Sequence, residues 1–212
     1  MKQSEGLRDR KKRETQAHIL AVATRLFLVH GFDQVTIAEI AAAANVAKMT
    51  VFNYFARKED LYFDRLDESI ARIKGALDAR KRSVSPVRAI QRLAHDLLDE
   101  HHPFAALAPS RVAFWQLVEE SPALLARARE IAEELSAVLA NQLAASVGKE
   151  PDGVAWLLAR SIVVTWQSAY AESLRAQRSN QSKAKVRAAF VDLVDRGFDM
   201  IAYAARGTPY RD

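Results

Sequence analysis

The stretch VTIAEIAAAANVAKMTVFNYFARKEDLY, Val35 to Tyr62, constrains the fold most. Thr36-Ile37-Ala38-Glu39 has the form of a capping box. In that motif the Thr hydroxyl accepts a first-turn amide and the Glu side chain reaches back to the Thr amide. Val35 and Ile40 stand where a hydrophobic staple closes around such a start. A helix therefore begins near Ile37, and its alanine run ends at about Ala44. Asn45 is the turn residue, because asparagine tolerates positive φ better than most side chains. A second short helix runs from Ala47 or Lys48 to Tyr54. Neither helix is long enough to form a core, and a four-residue turn between them matches helix-turn-helix geometry. By spacing, Val46, Val51 and Phe55 face inward, leaving Lys48, Met49, Thr50, Asn53 and Tyr54 outward. Lysine donates to guanine acceptors and asparagine pairs with adenine in a major groove. Threonine, tyrosine and a following lysine suit phosphate oxygens.

The rest of the chain is expected to be helical throughout. A first helix spans about Arg8 to His30, with Ile19, Val22, Ala23, Leu26, Phe27 and Val29 at spacings of three and four. Gly31 is expected to supply a left-handed cap, with Phe32 folding back on the last turn. Lys58 is expected to open a fourth helix, its N-terminal dipole complemented by Glu59 and Asp60. Breaks at Ser83–Pro86, His101–Pro103, Ala108–Ser110, Glu120–Pro122, Gly148–Asp152 and Ser179–Ser182 leave five more helices. Their approximate spans are 86–101, 109–120, 122–147, 152–178 and 183–205. Only 7 Gly and 6 Pro in 212 residues fit this all-α class of about nine helices. With no cysteine, a disulfide framework is excluded, and a reducing cytoplasmic location is the expectation. The polar start is not expected to be a signal peptide, and no run approaches a membrane span. The net charge of +5 is modest, but Arg8, Arg10, Lys11, Lys12 and Arg13 crowd together ahead of the first apolar stripe.

Residues 15–62 resemble the DNA-binding region of the TetR family of bacterial repressors. The shared pattern is GF at 31–32, Thr36, IAAAANV at 40–46, FNYF at 52–55 and KEDL at 58–61. The resemblance implies that Thr36 touches phosphate as well as capping its helix. It implies that Lys48, Met49 and Asn53 meet base edges, and that Thr50, Tyr54 and Lys58 hold the backbone. Three departures stand out: Asn45 replaces the usual turn glycine, Ala47 the usual serine cap, and Phe52 the usual tyrosine. Loss of the serine cap costs about 1 kcal/mol, and Phe52 carries no hydroxyl for phosphate. The implied organisation is a helix-turn-helix domain at 8–56 and a helical effector-binding and dimerisation domain at 57–206, with flexible tails at 1–7 and 207–212.

The back half carries two apolar stripes. The helix at 152–178 is apolar over more than half its circumference, and the last helix repeats Val186, Phe190, Leu193, Val194, Phe198 and Ile201. Gly197 lies on that stripe and permits close approach. The resemblance implies that these two helices pair with their copies in a homodimer; alternatively both stripes form one monomer core. For a small, largely apolar effector the candidate lining is His95, Phe114, Trp115, Trp166, Gln167 and Tyr170, with ordinary core as the alternative for each. No catalytic constellation, metal set or cofactor loop is present: adjacent His101 and His102 point about 100° apart on a helix and are expected to form a solvated helix end. The resemblance implies a ligand-responsive repressor, and the absence of a catalytic constellation fits an expectation that the chain is not an enzyme. It would bind a palindromic double-stranded operator as a dimer. The alternative is a helical small-molecule carrier or scaffold with a structural front domain.

Overall fold

The computed structural model is all-helical among the described residues, which are 6–64, 66–102, 105, 107 and 110–211. Its helices are α1 (Leu7–His30), α2 (Ile37–Ala43), α3 (Lys48–Tyr54), α4 (Leu66–Asp78), α5 (Pro86–Asp99), α6 (Ser110–Glu120), α7 (Pro122–Ser146), α8 (Gly153–Arg178) and α9 (Lys183–Ala204). Pro103, Ala108 and Pro109, which fall in two of the expected breaks, lie outside the described residues, as do 1–5 of the expected front tail. The chain packs as two compact units. One is Met1–Asp64 with Leu117–Arg127; the other is Arg65–Gln116 with Ala128–Asp212. The first unit therefore takes in more than 8–56.

Most helix ends have local causes. Thr36, Ser85, Asp152 and Ser182 cap α2, α5, α8 and α9 with side-chain oxygens that accept first-turn amides. Four helices close with a paired 6→1 and 5→2 hydrogen-bond pattern around one left-handed residue. After α2 that residue is Asn45 (φ 53°), with the Val46 amide donating to Ala41 and the Asn45 amide to Ala42. His101, Gly148 and Asn180 repeat the pattern after α5, α7 and α8.

Four expectations need correction, the last of them in part. Lys58 does not open the fourth helix: Lys58–Leu61 is a single 3₁₀ turn, and α4 starts only at Leu66. The cause is tertiary, since Tyr62 is buried against Phe27 and Phe32, at 6.0 and 6.1 Å between ring centroids. Gly31 has positive φ but extended ψ (82°, 155°), a region reserved for glycine rather than the left-handed helical one. The expected tail at 207–212 is anchored as far as Arg211, the last described residue: Tyr210 is fully buried and its hydroxyl donates to Asp152 Oδ1 at 3.2 Å. The solvated histidine end is half right. His101 is exposed, but the His102 side chain is 11 % exposed and its Nε2 lies 2.9 Å from Glu68 Oε1.

In the second unit α8 and α9 pack most closely. Gly197 lies so near α8 that a Cβ there would stand 2.3 Å from Thr165 Cγ2 and 3.0 Å from Thr165 Cβ. Leu158, Phe190, Val194 and Phe198 are buried along this seam, each contributing on the order of 1.5–3 kcal/mol of burial. On the other side of α9 a polar ladder joins it to α5. Arg88 donates to Asp199, and Gln91 and His95 both reach Asp195 at 2.8 Å.

Candidate nucleic-acid interface

The first unit is built around α2 and α3. The capping box at Thr36 forms fully: Glu39 N donates to Thr36 Oγ1 (3.2 Å) and Thr36 N to Glu39 Oε2 (2.7 Å). The Thr36 hydroxyl proton goes to the same carboxylate at 2.9 Å. These bonds from Thr36, backbone first, hold the Glu39 carboxyl below the usual carboxylate range. The staple residues Val35 and Ile40 are buried, as are Val51 and Phe55. Val46 is half-buried. The inward face of the turn thus anchors α3, whose start at Ala47 lacks a side-chain cap as the sequence implied.

The outward face of α3 carries Lys48, Met49 and Asn53, all exposed, with Met49 68 % exposed. Thr50 and Tyr54 are half-buried at its flanks. Thr36 is exposed at the start of α2. Lys58 is half-buried, its ammonium 4.2 Å from the centre of the Phe32 ring. Burial lowers its pKa from the ordinary lysine value, opposed chiefly by Asp33 and then Glu59 and Glu39. The cation–π contact favours that position of the ammonium.

Two contributors escaped the sequence reading. Phe52 is 42 % exposed, with Lys48 Nζ 5.9 Å from its ring, so an apolar ring stands beside the lysine on the outward face of α3. His18 Nε2 lies 3.2 Å from the Ala44 carbonyl and so ties α1 to the turn. No local spacing marks a bond between residues so far apart in sequence.

The segment 117–127 braces the same unit. Ser121 Oγ donates to Asp33 Oδ1 (2.8 Å), and Arg127 Nε to Asp60 Oδ1 (3.0 Å). The Arg127 and Asp60 side chains are 10 % and 24 % exposed, so this ion pair is largely desolvated. Asp60 also accepts the Arg57 amide through Oδ2, fixing the 3₁₀ turn that presents Lys58.

The candidate effector residues fall into two groups. Phe114, Trp115, Tyr170 and Trp166 belong to a chain of rings running through Phe190, with successive centroids 5.3–6.5 Å apart. His95 and Gln167 do not join them: His95 pairs with Asp195 and Gln167 is exposed. Two clefts open in the second unit, of about 280 Å³ beside Arg80 and Gln142 and about 570 Å³ beside Arg88 and Tyr203. None of the six residues lines either cleft. Among the described residues no cluster fits a metal ion, and no helix is long and apolar enough to cross a membrane.

Comparison with known proteins agrees with this geometry. Residues 19–64 match the model of the bacterial regulatory proteins, tetR family. The chain is 30% identical to MftR of Mycobacterium tuberculosis, named as a candidate mycofactocin biosynthesis transcriptional regulator. That alignment covers 91% of this chain and 95% of MftR. It is also 30% identical to the HTH-type transcriptional regulator TcmR of Streptomyces glaucescens, over 69% of this chain and 66% of TcmR. The fold is similar to that of native NalD from Pseudomonas aeruginosa, the secondary repressor of the MexAB-OprM multidrug efflux pump. There the TM-score is 0.56 at 18% identity, covering 89% of this chain and 96% of NalD. With the helix-turn-helix, its capping box and these relatives together, the chain belongs to the TetR family of bacterial transcriptional regulators.

Proposed function

We propose that this regulator is a cytoplasmic repressor that binds a palindromic operator as a homodimer and is released by a small, largely apolar effector. Residues 8–56 read DNA, and residues 57–206 bind the effector and dimerise. The observation that carries the reading is the outward face of α3. There Lys48, Met49 and Asn53 stand free of the core on a helix anchored by Val51 and Phe55. Lys48, Met49 and Asn53 meet base edges, Thr50, Tyr54 and Lys58 hold phosphates, and Thr36 joins them by turning its hydroxyl proton from Glu39 to a phosphate oxygen. One recognition helix spans few base pairs, so specificity calls for two copies about 34 Å apart or somewhat more. Leu157 and Val164 on α8 and Met200 and Tyr203 on α9 are 57–73 % exposed, and their cover in a dimer supports that assembly.

The effector enters among the aromatic residues Phe114, Trp115, Trp166 and Tyr170, without His95 and Gln167, which stand apart from those rings. It acts only through its different affinity for the DNA-bound and free arrangements. A coupling of about 1–3 kcal/mol is ordinary, and operator DNA must weaken effector binding by the same factor. As the chain belongs to a family of transcriptional regulators, the carrier reading is set aside.

Binding-site selection on point variants tests the reading. Lys48→Ala and Asn53→Ala should each relax preference at one position per half-site by about 1–3 kcal/mol. Lys58→Ala should weaken all sequences alike and lower the salt slope by about one. Unchanged preference in both Lys48→Ala and Asn53→Ala would remove α3 from base readout.

A further inference from the structure

Helix α1 runs well past the fold that anchors it. Every described side chain from Leu7 to Glu14 is exposed, and the first buried one is Ile19. The match to the family begins at residue 19 as well. Upstream of it, Arg8, Lys11 and Lys12 keep the three-and-four spacing of Thr15, Ile19, Val22 and Ala23. They therefore continue the very face that buries Ile19, Val22 and Ala23 in the first unit. His18 fixes where this face leads. Its bond to the Ala44 carbonyl puts α1 beside the turn from which α3 starts. From His18 back to Arg8 the helix projects about 15 Å beyond that point.

The charge of this projection conflicts with its own backbone. Residues 8–13 hold five cations and one carboxylate. They occupy the positive end of a helix whose N-cap, Gly6, supplies no side-chain bond. Glu14 offsets one of them, 3.6 Å from Arg10. A polyanion alongside Arg8, Lys11 and Lys12 would remove the conflict. Duplex DNA supplies a charge every ~1.7 Å of its axis, within easy reach of a 15 Å arm. A membrane surface fits less well, because Leu7 is the only large apolar side chain in the projecting segment.

We propose that Arg8, Lys11 and Lys12 form a phosphate-binding stripe that grips duplex DNA outside the groove taken by α3. The proposal rests on α3 being the reading helix. It adds a second, sequence-independent contact that lengthens the site read by each protomer and orders the exposed start of α1.

The test compares the full-length wild type with Arg8→Gln/Lys11→Gln/Lys12→Gln and with Arg10→Gln/Arg13→Gln as the off-stripe control. Each is titrated with the wild type's selected duplex across a salt series. The stripe variant should lose about two to three from the slope of log affinity against log salt. It should keep the preferred bases and shorten the protected footprint at its outer edges; the control should lose distinctly less. Amides 8–14 of the wild type should gain exchange protection on adding duplex, and not on adding anionic vesicles. An unchanged slope in the stripe variant overturns the proposal, and so does an equal loss in the control. Failure of the α3 reading shows separately, as a wild type without base preference.

Discussion

The Gly197–Thr165 contact gives a prediction whose sign depends on packing. On an exposed helix, Gly→Ala stabilises by about 1 kcal/mol, because glycine is the poorer helix former. At Gly197 the added Cβ would stand 2.3 Å from Thr165 Cγ2, 2.6 Å from Oγ1 and 3.0 Å from Cβ. The β-branched Thr165 has few helical rotamers to turn into, so at least one of the first two atoms stays close and α8 and α9 must separate slightly. Overpacking of this kind costs about 1–3 kcal/mol. The net expectation for Gly197→Ala is a loss of roughly 0–2 kcal/mol, or about 2–4 °C in midpoint for each kcal/mol lost. Thr165→Ala deletes the two nearest atoms. In that background Gly197→Ala should be neutral or stabilising, giving a coupling of about 1–3 kcal/mol across the double-mutant cycle. Trp115, Trp156 and Trp166 all belong to the second unit, so tryptophan fluorescence during melting reports on that unit alone. If Gly197→Ala raised the midpoint equally with threonine or alanine at 165, the close approach of α8 and α9 would be refuted.

Two further predictions concern polar anchors. Asp60→Ala should cost the first unit roughly 2–3 kcal/mol, the 3–5 of a broken buried pair reduced because Asp60 is 24 % exposed. Arg127→Met should cost less, since it leaves only a carboxylate with access to water; native-state hydrogen exchange of α3 reads both, and equal effects would contradict the buried-pair account. The Asp152–Tyr210 pair should shape stability at both pH extremes. The Ala155 amide foremost, and the Tyr210 hydroxyl after it, hold the Asp152 pKa below its ordinary value of 3.8. Its contribution is therefore complete above that value and lost as pH falls through the folded one. Burial first, then Asp152, raises the Tyr210 pKa above its ordinary value of 10.0. That contribution is complete below 10.0 and lost as pH rises through the folded value. Tyr210→Phe should flatten the alkaline limb of stability against pH, measured by fluorescence melting; an unaltered limb would separate Tyr210 from it.

The helices were legible where their ends are local. Thr36, Ser85, Asp152 and Ser182 carry their caps in the adjacent residues, and Asn45 marks its own turn. The turn at Lys58 was not legible, because KEDL reads equally well as a helix start and the decision lies with Tyr62 docking on Phe27 and Phe32. Tyr210 was missed because a single aromatic in a polar tail has no period to betray its burial. The inward residues Val51 and Phe55 followed from spacing, and so did the exposure of Lys48 and Asn53. Spacing did not mark Phe52 as exposed or His18 as a brace, since one depends on how α3 sits and the other on a bond 26 residues apart. The effector residues were the least legible. Aromatic side chains at helical spacing pack together whether or not a ligand ever enters between them, as the rings from Trp115 to Trp166 do.

The central claim, that α3 reads base edges on a duplex, is tested most directly by competitive anisotropy. Wild type is titrated with the duplex it selects from genomic fragments and with a scrambled duplex of equal length, each over a salt series. The account predicts that both affinities fall steeply with salt, while the selected duplex stays at least about 10³-fold tighter throughout. It also predicts that Asn53→Ala narrows that ratio by about one order of magnitude or more. Equal affinity for the two duplexes, or a ratio that Asn53→Ala and Lys48→Ala both leave untouched, would contradict it.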